Sequence, residues 1–384
     1  MFNYDENLIK ITDYDVLGKL PDPFLKPDGT RITNPKEWAA QRKEMYKTAV
    51  ELQYGTQPPK PEVFTVDTLY LGDKSQSYKI TAGTKEKQVS FLMRIFKPIL
   101  KEGEKCPVVV DGDMCFPYAF DKEFVETFTN NGIIYATFDR TELAHDIMRE
   151  GRCKGALYPV YPEYGFGALG AWAWGYSRCV DALEQLSFID TSCIAFTGHS
   201  RGAKTAALAG VLDERATIVN PNETCAGACG CYRIHMRADK EDGKNLGSET
   251  LARLLSNYDF WMGEGMQEYG EREQDLPFDA HFLKAMVAPR TLLVGEAASD
   301  IWANPVGSWQ TSVAAKEVFK FLGCEENLIW YFRKGYHFHH LVDVQTLVAV
   351  ILNKYKGTPL PDYLYKTPFK KPELIFDWKA PETK

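Results

Sequence analysis

Residues 194–209 read IAFTGHSRGAKTAALA. A short apolar run, a G-x-S-x-G turn and an alanine-rich helix former follow one another without a break. A strand that swings this sharply into a helix holds its central residue, Ser200, in a strained conformation. Glycines at 198 and 202 let the neighbouring backbone approach without Cβ clashes. The hydroxyl then stands at the helix N-terminus, where amide N–H groups can hold a developing oxyanion. G-x-S-x-G alone is a common pattern. The strand before it and the helix after it make it specific, against the blander reading of an ordinary turn with a solvated serine.

Arg201 and Lys204 sharpen the case. Two cations in the first turn of a helix oppose its macrodipole, at roughly 0.3–1 kcal/mol each. Their placement calls for something negative nearby: an oxyanion, a uronate-like ligand or a buried glutamate. The alternative is that both reach to water.

Apolar runs on either side extend the pattern. Upstream, Val63–Tyr70, Ser77–Thr81 and Val89–Ile95 alternate and predict an antiparallel edge. From Val108–Val110 onward, strands at Ile133–Thr137, Cys193–Thr197, Thr217–Val219, Thr291–Val294 and Leu328–Phe332 alternate with helices. Those helices are expected near Lys122–Asn130, Gly170–Leu186, Gly202–Leu212, Val313–Leu322 and Val342–Tyr355. Alternation of this kind implies a parallel sheet covered on both faces. The expected fold is an α/β-hydrolase three-layer αβα sandwich with a mostly parallel central sheet. Residues 61–356 would form the catalytic domain, 1–60 an N-terminal extension and 357–384 a tail draped over the surface. Asn34-Pro35 predicts a helix start in the extension, and Lys36–Gln53 places Trp38, Met45, Ala49 and Leu52 on one face, suited to packing across the sheet.

A serine nucleophile needs a base and an orienting acid. Of seven histidines, the cluster Gly335-Tyr336-His337-Phe338-His339-His340 follows the last strand, where chain order Ser–acid–His puts the base. His337 is that base. Asp300 follows the strand at Thr291–Val294 and Glu223 follows the strand at Thr217–Val219, so either can orient the imidazole. Helix capping and turn capping are the structural alternatives, and Glu296 is a third, weaker candidate. His339 and His340 could pair on a metal, and Cys225, Cys229, Cys231 and His235 form C-x3-C-x-C-x3-H. Neither has the spacing of a standard zinc site, and buried thiols packing a glycine-rich loop are the favoured reading.

Composition excludes several classes. Net charge is −7 over 384 residues with acids and bases interspersed, which argues against a nucleic-acid partner. No run approaches a membrane span. The start has no basic region followed by an apolar one, so the expectation is a cytoplasmic protein, or a secreted one whose leader has been removed. Nine cysteines, an odd count, suit free thiols in a reducing compartment. No G-x-G-x-x-G follows the first parallel strand, which disfavours a dinucleotide enzyme.

Taken together, LPDPFLKPDGTRITNPKEW, FGALGAWAWG, TGHSRGAKTAALAG, NPNETCAGACGCYR, DLPFDAHFLKAMVAPR, SDIWANP and RKGYH make the chain resemble the glucuronoyl esterases, over most of its length. The resemblance implies a serine esterase that cleaves esters between (4-O-methyl-)glucuronate on xylan and lignin alcohols. It implies that Arg201 stabilises the oxyanion, that Lys204 contacts sugar hydroxyls and that Trp302 lines the sugar site; Trp261 is expected to join them in substrate binding. Glu223 occupies the acid position of fungal members and Asp300 that of bacterial ones. His199 and Phe338 stand where fungal members place disulfide cysteines, and the family's E-S-G segment reads Glu223-Thr-Cys. The implied mechanism is two-step acyl transfer with no metal or organic cofactor and a small-molecule or oligosaccharide uronate ester as substrate. A serine esterase of other specificity, such as an acetyl esterase, and a uronosyl-oligosaccharide binder without turnover are the rival readings.

Overall fold

The structure is a computed structural model that describes residues 14–237 and 247–382. In chain order the strands are β1 (Tyr14–Val16), β2 (Val63–Leu71), β3 (Ser75–Gly83), β4 (Gln88–Phe96), β5 (Cys106–Asp111), β6 (Ile134–Phe138), β7 (Ile189–His199), β8 (Ile218–Asn222), β9 (Ile234–Met236), β10 (Thr291–Ala297) and β11 (Leu328–Arg333). β1 and β9 pair with each other. The other nine form one sheet in the order β11-β10-β8-β7-β5-β6-β4-β3-β2. The six strands from β11 to β6 are parallel, and β4, β3 and β2 continue the sheet antiparallel.

This division follows from the sequence pattern. Parallel strands are covered on both faces and need apolar residues at every position; all residues of β5, β6, β10 and β11 are buried. β4 alternates buried and open positions, and the outermost strand β2 leaves Leu69, Tyr70 and Leu71 exposed.

The helices are α1 (Trp38–Tyr46), α2 (Leu52–Tyr54), α3 (Lys122–Thr129), α4 (Ala168–Leu183), α5 (Arg201–Leu212), α6 (Leu251–Tyr258), α7 (Ala280–Ala285), α8 (Pro305–Phe321) and α9 (Leu341–Lys356). Residues of α4, α5, α7 and α8 build the large core on one sheet face; Phe128 of α3 and Val344, Leu347 and Ile351 of α9 build the smaller core on the other. The result is the αβα sandwich of an α/β-hydrolase. Among the described residues no helix is long and apolar enough to cross a membrane.

The N-terminal helix begins as its sequence requires, with Asn34 and Glu37 forming a reciprocal cap and Pro35 in the first turn. Beyond Tyr46 it widens into a π turn over Lys47–Glu51. Contrary to expectation it does not lie on the sheet: Arg42 bonds the carbonyls of Val211 in α5 and Met286 after α7, so helix rests on helix. The residues that follow knit distant loops together. Gln53 and Tyr54 carbonyls accept from the amides of Gly263 and Gly167, Tyr54 Oη donates to the Gly227 carbonyl, and Thr56 Oγ accepts from Gly165. The tail is also more than a drape: Phe369 and Phe376 are buried, and Trp378 Nε1 donates to the Leu20 carbonyl.

α8 starts eight residues before the expected Val313. Asn304, at φ 61°, caps it through Gly307 N, and buried Ser308, Thr311 and Ser312 serve Lys284 from its first turns. Polar residues turned inward hide the helical period there.

Candidate active site

Ser200 sits between β7 and α5 at φ 55° and ψ −119°, a conformation held by its amide donating to the Asn222 carbonyl at 3.0 Å. Both flanking glycines are obligatory. A Cβ on Gly198 would come 2.5 Å from the Gly202 carbonyl, and one on Gly202 would come 2.1 Å from the Asp113 carboxylate. That carboxylate also accepts from the His199 amide at 3.1 Å, fixing the turn from below.

His337 follows β11 and reaches back to the elbow. Its Nε2 lies 2.8 Å from Ser200 Oγ and its Nδ1 2.6 Å from Asp300 Oδ2. The other Asp300 oxygen accepts from Ala303 N at 3.2 Å, so the helix-cap reading holds as well, on a different lone pair. Glu223 stands beside this pair. Its Oε2 is 3.5 Å from His337 Nδ1 and 3.4 Å from His199 Nε2, while its Oε1 is bound by Arg333. Arg333 also serves both oxygens of Asp343 at 3.0 Å, so one guanidinium is divided between two carboxylates. Burial therefore prevails over that shared charge and pushes the Glu223 carboxyl up to about 11. Burial pushes the neighbouring His199 imidazole well below its ordinary value. Glu296 lies inside β10 beside Ser308 and Lys284, with burial raising it to about 8.

Both cations of the first helical turn meet carboxylates, as the macrodipole conflict required. Arg201 donates to Asp146 Oδ1 at 3.0 Å and lies over the rings of Tyr258 and Trp261. Its side chain keeps 28% exposure. Lys204 is 2% exposed, and its ammonium donates to the Thr224 and Ala226 carbonyls and to Glu249 Oε2 at 2.7 Å.

Residues 80–323 match the family described as glucuronyl esterase, fungi. The chain belongs to this family. It is 29% identical over 316 residues to the 4-O-methyl-glucuronoyl methylesterase of Neurospora crassa, covering 81% of this chain and 75% of that protein. A carbohydrate esterase family 15 glucuronoyl esterase from Caldicellulosiruptor kristjansonii superimposes with a TM-score of 0.79 at 29% identity, over 92% of this chain and 94% of its own. A serine-to-alanine variant of the glucuronoyl esterase from Sporotrichum thermophile, solved with methyl 4-O-methyl-β-D-glucopyranuronate, gives 0.73 at 25% identity, over 91% and 92%.

Two residues expected to contact substrate have internal partners in the structure. Lys204 neither reaches water nor offers a spare N–H: three buried acceptors already use its three protons. Trp261 is 2% exposed; it stacks on Tyr258 at 4.0 Å and donates Nε1 to Asp146 at 3.2 Å. It forms the floor under Arg201. Trp302 is half-buried beside Asp300, and the Arg253 guanidinium lies 4.5 Å from its ring centroid.

The two histidines after the base diverge. His339 turns inward against Tyr118, Phe124 and His199, and His340 caps α9. Cys225, Cys229 and Cys231 are buried free thiols in the loop after β8, whereas His235 pairs with Glu273.

Sequence reasoning missed the support beneath Arg201. Asp146 bridges Arg201 and Arg140, and fully buried Arg140 reaches on to Asp113 under the elbow. Its only signal was the unexplained positive charge at positions 201 and 204. Glu249 and Arg333 carried no motif at all.

Proposed function

We propose that this chain hydrolyses esters of (4-O-methyl-)glucuronic acid by serine acyl transfer, with His337 as base and Asp300 as its orienting acid. The observation that carries the reading is His337 bridging Ser200 and Asp300 at 2.8 and 2.6 Å. Family membership and the relatives' substrate support the choice of ester.

Ser200 gives its proton to His337 Nε2 as Oγ attacks the ester carbonyl, and Asp300 stabilises the imidazolium that forms. The leaving alcohol takes the proton back, and water repeats the cycle to release the uronate. The oxyanion needs donors beyond the first amides of α5. In the loop after β5 the amides of Gly112, Asp113, Met114 and Phe116 are already committed within the protein. The Arg201 side chain, clamped by Asp146 and two rings, supplies the missing positive partner. Glu223, pinned by Arg333, stands 3.5 Å from His337 Nδ1 as a secondary neighbour of the base.

The committed Lys204 ammonium favours a second reading, a serine esterase of other specificity, because the expected sugar contact is spent internally. Hydrolysis of benzyl glucuronate, methyl galacturonate and nitrophenyl acetate by the wild-type and Ser200→Ala proteins separates the two. Turnover of benzyl glucuronate lost in the variant supports the glucuronate reading, and activity confined to the acetate overturns it. Free thiols at all nine cysteines support a reducing compartment, and a thiol titration of protein taken directly from its source tests that.

A further inference from the structure

Away from the catalytic site, a cleft of about 570 Å³ opens between α3 and the ends of β3 and β4, within the size range of small-molecule sites. Its apolar lining is Phe96, Pro98, Ile99, Phe120 and Val125, and neither Ser200 nor any residue around it takes part. Ile99 and Phe120 stay 72% and 45% exposed, so this surface is open to a ligand. The floor is firm: Phe96 stacks on Tyr135, and Tyr135 stacks on buried Phe128.

The charge around the cleft is one-sided. Lys74, Lys97 and Lys122 line it against a single acid, Glu126. The Lys122–Glu126 pair is loose, at 3.8 Å between well-exposed side chains, and such a pair contributes little. Lys97 N donates to the Lys74 carbonyl at 3.0 Å, which keeps those two lysines on neighbouring strand ends, and the Lys97 ammonium lies 5.7 Å from the Phe188 ring centroid. Half-buried Arg94 adds a further cation, 5.3 Å and 5.9 Å from the ring centroids of Phe96 and Phe120. Buried Arg140 and Arg333 hold carboxylates, whereas Arg94 Nε is buried with no hydrogen-bond partner. A buried donor of that kind calls for an acceptor.

We propose that this cleft binds a small aromatic carboxylate. The ligand's ring packs against Phe96 and Phe120, and its carboxylate faces the Arg94 guanidinium and the lysines. The excess of cations selects an anion, and a planar guanidinium laid against rings pairs with a carboxylate as a fork. The two phenyl rings select an aromatic partner through face and edge contacts. An acidic sugar fits less well, because its hydroxyls need polar partners and Thr129 Oγ already donates to the Val125 carbonyl.

Neither the serine chemistry nor the choice of ester enters this proposal, so its test is binding. Cinnamate is titrated calorimetrically into the full chain at low salt. One equivalent should bind with a Kd below about 1 mM. Phe120→Ala should raise that Kd about tenfold, and Lys74→Glu, a change at an exposed position, about threefold. Thermal melts verify that both variants are folded. Cinnamyl alcohol, which lacks the charge, and octanoate, which lacks the ring, should each bind at least about fivefold more weakly, and saturating glucuronate should leave cinnamate binding unchanged. Cinnamyl alcohol or octanoate binding as tightly as cinnamate overturns the assigned ligand class. Displacement by glucuronate, or a Kd unchanged in either variant, places the carboxylate elsewhere and overturns the site. Absence of cinnamate binding to the wild type overturns the proposal as well, whether or not any ester is hydrolysed.

Discussion

The loops after β8 and β10 each bring a carboxylate to the same imidazole, and they hold it differently. Among the described residues the Asp300 carboxylate hydrogen-bonds Ala303 N and His337, so its charge is directed at the base. Glu223 is shared among Arg333, His199 and His337, stands at φ 55° and lies in a loop buried from end to end. Asp300 hydrogen-bonds the imidazole at 2.6 Å, whereas Glu223 stands off at 3.5 Å. A carboxylate becomes an orienting acid when its partners leave it one cation-forming neighbour; one wrapped in a buried network becomes structure.

The largest effect should separate the two acids. Asp300→Asn should lower kcat by about 10³–10⁴, by leaving the imidazole in the wrong tautomer, whereas Glu223→Gln should lower it less than about tenfold. Equal losses on benzyl glucuronate kinetics would break the distinction. The buried loop itself is probed through Lys204, which holds the Thr224 and Ala226 carbonyls. Lys204→Met strands the Glu249 carboxylate and should cost about 3–5 kcal/mol in denaturant unfolding; a loss under about 1 kcal/mol would mean the loop is not anchored there.

Asp146→Asn sharpens the picture from the opposite side of the nucleophile. It loosens Arg201 without touching the triad, so kcat should drop about tenfold, with KM and the pH profile little changed. A shifted pH profile would instead implicate the base. The remaining prediction concerns stability. Glu223 binds its proton more tightly folded than unfolded, so its contribution is whole below about 4.5 and is lost as pH rises towards 11. Between pH 5 and 9 the wild-type denaturation midpoint should therefore fall more steeply than that of Glu223→Gln. Parallel slopes would show Glu223 to be ionised in the fold.

Much of this architecture could be read before any coordinates. The elbow, the parallel strands and the order of Ser200, acid and His337 follow local rules of period and turn chemistry. The antiparallel strands β2–β4 also ended within a few residues of their alternating runs. What escaped depends on contacts between distant segments. α6, α7 and the β1–β9 pair are short, and no period emerges from so few residues. Arg140, Asp146 and Arg333 look like any surface charge in sequence, and only the fold shows the two arginines buried and Asp146 half-buried. For Lys204 the charge conflict was legible and one of its resolutions, a buried glutamate, is what Glu249 provides.

Residues 53–56 fasten to Gly165, Gly167, Gly227 and Gly263, all more than a hundred positions further along the chain. During synthesis the early segment therefore emerges long before its moorings exist. The stretch made first must be among the last to settle, waiting on the surface until the later loops are in place. A ribosome-stalled fragment ending before Gly263 should accordingly leave Tyr54 open to protease, and release of the full chain should close it.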